Sequence, residues 1–205
     1  MRPSKMILMA VFSLFAPVAH AAEPDAHAAK DDRGPRGIFV AGGGGFALTS
    51  GVDDEGQRAP MAYGSGGHFR FGEEVIERLT LGLELGGSGG TGDDFEAGLG
   101  GFAVQASYRP GLLTEGLVFL VGTGVGGGSL TPTTEVDDGT APKGTGGGAF
   151  HLLAVQYEID LNGPANDGFA LSPSLRVYLL PSTTGNPVRL TSFVVGLESV
   201  YYFGR

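Results

Sequence analysis

From residue 37 to residue 203, apolar side chains recur at every second position, in runs parted by stretches rich in Gly, Asp, Thr and Pro. A period of two sends alternate side chains to opposite faces of a strand. The pattern predicts eight strands, at 38–48, 61–71, 79–87, 99–109, 117–127, 148–161, 169–179 and 191–203. The third is the clearest: Leu79, Leu81, Leu83 and Leu85 face one way, and Thr80, Gly82, Glu84 and Gly86 the other. The last sets Phe193, Val195, Leu197, Tyr201 and Phe203 against Ser192, Gly196, Glu198 and Tyr202, with Val194 and Val200 on the mixed face. The fifth alternates least, because Val118 and Leu120 lie behind Leu117, Phe119 and Val121. Pro173 is expected to be a local defect in the seventh.

Connections after the first, third, fifth and seventh strands (50–60, 88–98, 128–147 and 181–190) read as longer and richer in turn residues than those at 72–78, 110–116 and 162–167. An even strand count, long loops at one end and tight turns at the other form the pattern of an all-β, up-and-down antiparallel transmembrane barrel, with both termini on the periplasmic side. At about 3.3 Å per residue and a tilt near 45°, roughly a dozen residues climb about 30 Å, the thickness of a bilayer core.

Alternation alone does not say which face is out, since a water-soluble barrel turns the same apolar face inward. The polar face decides. It gathers Arg70, Glu84, Arg109, Glu158, Arg176 and Glu198 with Gln105 and Gln156, while the predicted strands contain no lysine. Balanced Arg and Glu suit a narrow closed lumen, where each buried charge needs a partner. Arg176 and Glu198 have overlapping heights on neighbouring strands and are expected to pair, with Glu84 as a third member. Interior glycines would make room for these side chains and for Tyr178 and Tyr202.

Composition agrees with this reading. Glycine, at 38 of 205 residues, lies inside apolar runs and without the period of collagen, which favours a glycine-tolerant β architecture over disorder. Residues 1–21 read as a secretory signal: Arg2 and Lys5, an apolar run over 6–16, and the small-x-small site Ala19-His20-Ala21. Residues 22–36 read as a flexible periplasmic leader and 37–205 as the barrel. Zero cysteines fit an exported chain that needs no disulfide. Removing Arg2 and Lys5 leaves 11 of the 13 basic residues against 22 acidic ones, so nucleic acid is not an expected partner.

Three loops carry acidic clusters: Asp53, Asp54 and Glu55; Asp93, Asp94 and Glu96; and Glu135, Asp137 and Asp138. Oxygen donors in such clusters suit hard cations. The stretch Gly89-Gly-Thr-Gly-Asp-Asp94 matches one unit of a calcium repeat but lacks the stacked neighbours that complete such sites. Solvated loop charge is the simpler reading, and no metal is assigned. Gly122, Gly124 and Gly127 match a dinucleotide fingerprint that needs a helix to follow. Pro132 and β-branched residues follow instead, so no cofactor is expected. His68 should face the lumen and His151 the lipid near the outer rim.

Phe71, Tyr108, Tyr157, Tyr201 and Phe203 at one set of strand ends, with Phe46 and Phe150 at the other, fit two interfacial girdles. The final strand, ending on Tyr201, Tyr202 and Phe203, resembles the C-terminal signal of bacterial outer-membrane barrels, although Gly204 and Arg205 follow it. Over about 37–203 the chain resembles small eight-stranded barrels of the OmpA-domain, OmpX and OmpW type. The resemblance implies a bacterial outer-membrane location and a monomer in contact with membrane lipid, lipopolysaccharide and the barrel-assembly machinery. It also implies a structural or surface-interaction role, with a narrow pore or hydrophobic-solute conduit as the alternative. The resembling lipid A deacylases carry a Ser two residues after an outward His, where this chain has Leu153 after His151. An enzyme is therefore not expected.

Overall fold

The computed structural model describes residues 37–53, 55–111, 115–133, 143–161, 168–181 and 188–203. The signal and leader readings, together with Asp54, Glu135, Asp137 and Asp138, fall outside them. The strands are β1 (Ile38–Val52), β2 (Ala62–Ile76), β3 (Leu79–Thr91), β4 (Phe95–Tyr108), β5 (Leu117–Pro132), β6 (Gly144–Tyr157), β7 (Ile159–Asp160), β8 (Gly168–Leu180) and β9 (Arg189–Phe203). From β1 to β6 each strand pairs antiparallel with the next, β6 and β7 both pair with β8, β8 pairs with β9, and β9 returns to β1.

Gln156↔Ser174 and Ile159↔Leu171 keep one register along β8, so β6 and β7 are a single stave interrupted at Glu158. The sheet thus closes as an eight-stranded antiparallel up-and-down barrel. By that register Pro173, which has no N–H to offer the ladder, faces Tyr157 beside the interruption, and Glu158 faces Ser172. The defect expected within the proline's own strand appears in the neighbouring stave instead, and β8 runs unbroken through Pro173.

Partnered residues followed once around the wall run Val40, Phe71, Leu83, Val104, Thr123, His151, Leu179, Thr191 and then Ser50. The walk returns to β1 at Ser50 rather than Val40, a shear of ten residues (50 − 40). Eight strands with this stagger tilt by about 40° and leave an interior just wide enough for side chains.

Several strands run further than their apolar pattern. β1 continues to Val52, β2 to Ile76, β3 to Thr91 and β5 to Pro132, while β4 starts at Phe95 and β6 at Gly144. The connection expected over 88–98 therefore shrinks to residues 92–94, closed by the Gly92 N–H donating to the Phe95 carbonyl at 2.7 Å. The connection expected over 72–78 shrinks to Glu77 and Arg78. The added segments are rich in Gly, Ser and Thr, which carry little hydropathy contrast but pair like any other backbone. The connection at 109–116 is longer than the one at 92–94, which departs from the expected alternation of long and short loops.

Every long strand turns large apolar side chains outward, among them Leu85 (60% exposed), Val104 (57%), Val121 (55%) and Val195 (59%). A continuous belt of this kind is tolerated in hydrocarbon and not in water.

Candidate functional site

The inward positions of the staves divide the lumen into three layers. Nearest the chain ends of β1 and β9, a small floor consists of Phe39, Ala41, Ala170, Val200 and Tyr202. At the opposite end Phe95, Leu130, Leu180, Val188 and Leu190 belong to a larger apolar roof that extends down through Phe150 and Leu152 to Val118 and Leu120. Between them lie the charges.

Arg176 on β8 is fully buried. Its Nη1 donates to both carboxylate oxygens of Glu84 on β3, at 3.0 and 2.8 Å, and its Nη2 donates to Glu198 Oε2 on the adjacent β9 at 2.5 Å. Since β3 and β8 are not neighbours in the wall, the Arg176–Glu84 contact crosses the lumen. Arg70 on β2 closes on Glu198 through two bonds, Nε to Oε2 at 2.9 Å and Nη2 to Oε1. His68 Nε2 meets Glu198 Oε2 at 2.6 Å. Glu198 therefore meets two guanidinium groups and an imidazole, the arrangement that allows a carboxylate to remain charged away from water.

A second group lies toward the floor. Arg109, just past the end of β4, donates to Glu158 Oε2 at 2.6 Å and to the Tyr202 hydroxyl at 2.7 Å. The Tyr202 hydroxyl in turn donates to Glu158 Oε1 at 2.8 Å. Gln156 joins the two groups, its Nε2 lying 3.2 Å from Glu198 Oε1 and 3.3 Å from Glu158 Oε1. All six charged residues singled out from sequence thus fall into one connected network.

Other participants carried weaker signals. Tyr178 donates to Glu84 Oε1 at 3.2 Å and stacks on Phe150, with ring centroids 5.5 Å apart. The Phe39 ring lies 5.0 Å from the Arg70 guanidinium carbon, close enough for a cation–π contact. Phe39 breaks no pattern in the sequence; its clue is only that it sits one position off the Ile38 and Val40 face. Phe150, expected in the outer aromatic girdle, is instead fully buried in the lumen, because it shares the inward parity of Leu152, Ala154 and Gln156 on β6. Gly86 allows the central layer to pack: a Cβ there would lie 2.7 Å from the Tyr178 hydroxyl and 3.1 Å from Glu84 Oε1.

The acidic loop residues behave differently. Asp53 is turned inward, and its Oδ1 accepts the N–H groups of Glu55 and Gln57 at 3.1 and 2.8 Å, which makes it a turn cap. Asp93 and Asp94 lie in the β3–β4 turn, and Glu96 projects outward from β4. Among the described residues no group of three or more His, Cys, Asp or Glu side chains is placed to hold a metal ion. His151 lies on the outer face of β6, its Nδ1 3.0 Å from the Thr123 hydroxyl.

Closed antiparallel topology, a side-chain-filled interior and a lipid-facing exterior define the class: a small β-barrel of the bacterial outer membrane. No protein-family model and no curated protein matches the chain. Among solved structures it is similar to Ail, the attachment invasion locus protein of Yersinia pestis, at 12% identity over 80% of this chain and 98% of that one, with a TM-score of 0.48. It is also similar to Neisserial surface protein A, at 14% identity over 81% and 98%, TM-score 0.45. A third is the outer membrane protein AlkL, at 17% identity over 89% and 98%, TM-score 0.40.

Proposed function

We propose that the chain is a structural or surface-interaction protein of the outer membrane, a barrel with a largely closed, ion-paired lumen whose acidic outer loops form the working surface. The observation that supports this reading is the fully buried Arg176, bonded to Glu84 across the lumen and to Glu198 beside it. A path for ions through this layer would separate charges that are paired within the network among the described residues. Glu55, Asp93, Asp94 and Glu96 give the described outer loops an exposed negative surface. That surface suits cation-mediated contact with lipopolysaccharide or with a basic partner. In this reading the barrel works as a monomer, inserted by the barrel-assembly machinery and surrounded by lipid and lipopolysaccharide.

A second reading, a narrow pore or a conduit for hydrophobic solutes, draws on Val118 and Leu120, which give part of the lumen an apolar lining. Single-channel recording of the refolded protein in a planar bilayer separates the two. The closed reading predicts a silent wild type, folding being checked by the mobility difference between unheated and boiled samples. Steady wild-type openings would sink it.

A further inference from the structure

On the lipid-facing wall a shallow groove of about 380 Å³ lies across β5, β6 and β8, lined by Phe119, Leu153, Val155, Leu175 and Val177. Leu120 and Ala154 also border it although both face the lumen, so the floor of the groove is strand backbone. The register runs Phe119↔Val155↔Leu175 and then, one outward row higher, Val121↔Leu153↔Val177. The next row is Thr123↔His151↔Leu179, which sets the Thr123–His151 pair at the outer end of the groove.

A hydrogen-bonded imidazole and hydroxyl are costly ornaments on a wall that faces hydrocarbon, and here they cap an apolar trough. His151 stands six residues along β6 from Tyr157 in the periplasmic girdle. At about 3.3 Å per residue and a tilt of about 40° that is a climb of about 15 Å, into the outer half of a belt about 25 Å tall. Above His151, β6 presents only Ala149, Gly147 and Thr145 outward, so on this strand no bulky side chain separates the pair from the outer rim. Thr123 holds Nδ1, which leaves Nε2 for a second partner.

We infer that this groove is a lipopolysaccharide-binding site: one acyl chain lies along Phe119, Val155 and Leu175, and an ester or hydroxyl oxygen at the head end of that chain bonds to His151. His151 lies about 10 Å below the outer edge of that belt by the same arithmetic, which favours the ester and hydroxyl oxygens, placed on the acyl side of the phosphates, over phosphate at the membrane surface. The groove is continuous with the lipid-facing belt, so the inference rests on reading that belt as membrane-embedded. The pair acts as a polar anchor, since no carboxylate among the described residues bonds to His151 to orient it as a catalytic base.

The chain has no tryptophan, so a single introduced one reports alone. Phe119→Trp places it in the groove, and Leu85→Trp, on the far side of the wall at β3, serves as control. Both proteins are refolded into vesicles of phosphatidylcholine brominated on its acyl chains, and lipopolysaccharide is titrated in. The groove tryptophan is expected to regain fluorescence saturably at low mole fraction, while the control recovers only in proportion to dilution of bromine. Adding His151→Ala with Thr123→Val to Phe119→Trp should weaken the saturable phase by about tenfold. Equal recovery at both positions would overturn the proposal, as would a saturable phase that survives the double substitution. Two tryptophans that bromine does not quench at all, in protein folded by gel mobility, would remove the lipid-facing reading itself.

Discussion

The middle and the outer end of the lumen are filled by opposite kinds of side chain, and they close it by different means. In the middle, Arg70, Glu84, Arg176 and Glu198 are all buried to 2% exposure or less and bonded to one another. At the outer end Leu130, Leu180, Val188 and Leu190 pack with no charge among them. Apolar packing is tolerant: a lost methylene costs free energy in proportion to the void it leaves. A buried ion network is not, because deleting one member strands the others. The barrel places its intolerant layer where strands that are not neighbours in the wall must be held across the lumen, as β3 and β8 are by Glu84 and Arg176.

The sharpest way to break this contrast is Arg176→Met, which conserves bulk but leaves Glu84 and Glu198 short of a shared cation. A loss of about 3–5 kcal/mol is expected, read as a fall in the urea midpoint of the refolded protein in vesicles. Adding Glu84→Gln should recover a substantial part of that loss. A double variant no better than the single one would show that Arg176 contributes packing rather than charge.

Leu190→Ala in the roof is expected to cost about 2–3 kcal/mol by the cavity it opens, with bilayer recordings still silent because the ionic layer is intact. Conductance appearing in Leu190→Ala and not in Glu198→Ala would relocate the seal to the roof. Gly86→Val tests the meeting of the two layers. Its branched side chain must displace Tyr178 from Glu84, at a cost of about 1–3 kcal/mol, and the matching Tyr178→Phe background should relieve part of it.

The smallest effect is expected in the loop. Asp53→Ala removes two backbone caps and should ease local opening of that turn by about 1 kcal/mol, seen as faster protease cleavage near Glu55 with little change in the global urea midpoint.

The stave pattern was legible because a half-buried strand writes its environment into a period of two, and Leu79 to Leu85 carry it undiluted. Strand ends were less legible wherever Gly, Ser and Thr took over, as between Gly86 and Thr91, because hydrogen-bonded pairing leaves no trace in hydropathy. Arg and Glu on the polar parity of their strands marked the lumen layer, but not the joining roles of His68 and Gln156, whose types are ordinary at such positions.

By itself, then, the sequence determined strand count, facing and the choice of charged residues for the interior, since each depends only on local periodicity and composition. Which charges meet was decided by the closed sheet. A shear of ten residues carries Glu84 and Arg176 to facing heights, and Pro173 interrupts the stave beside it at Glu158. The register of β5, β6 and β8 sets Thr123 and His151 at the end of an apolar groove. Register and closure are properties of the whole ring of staves, and no single strand contains them.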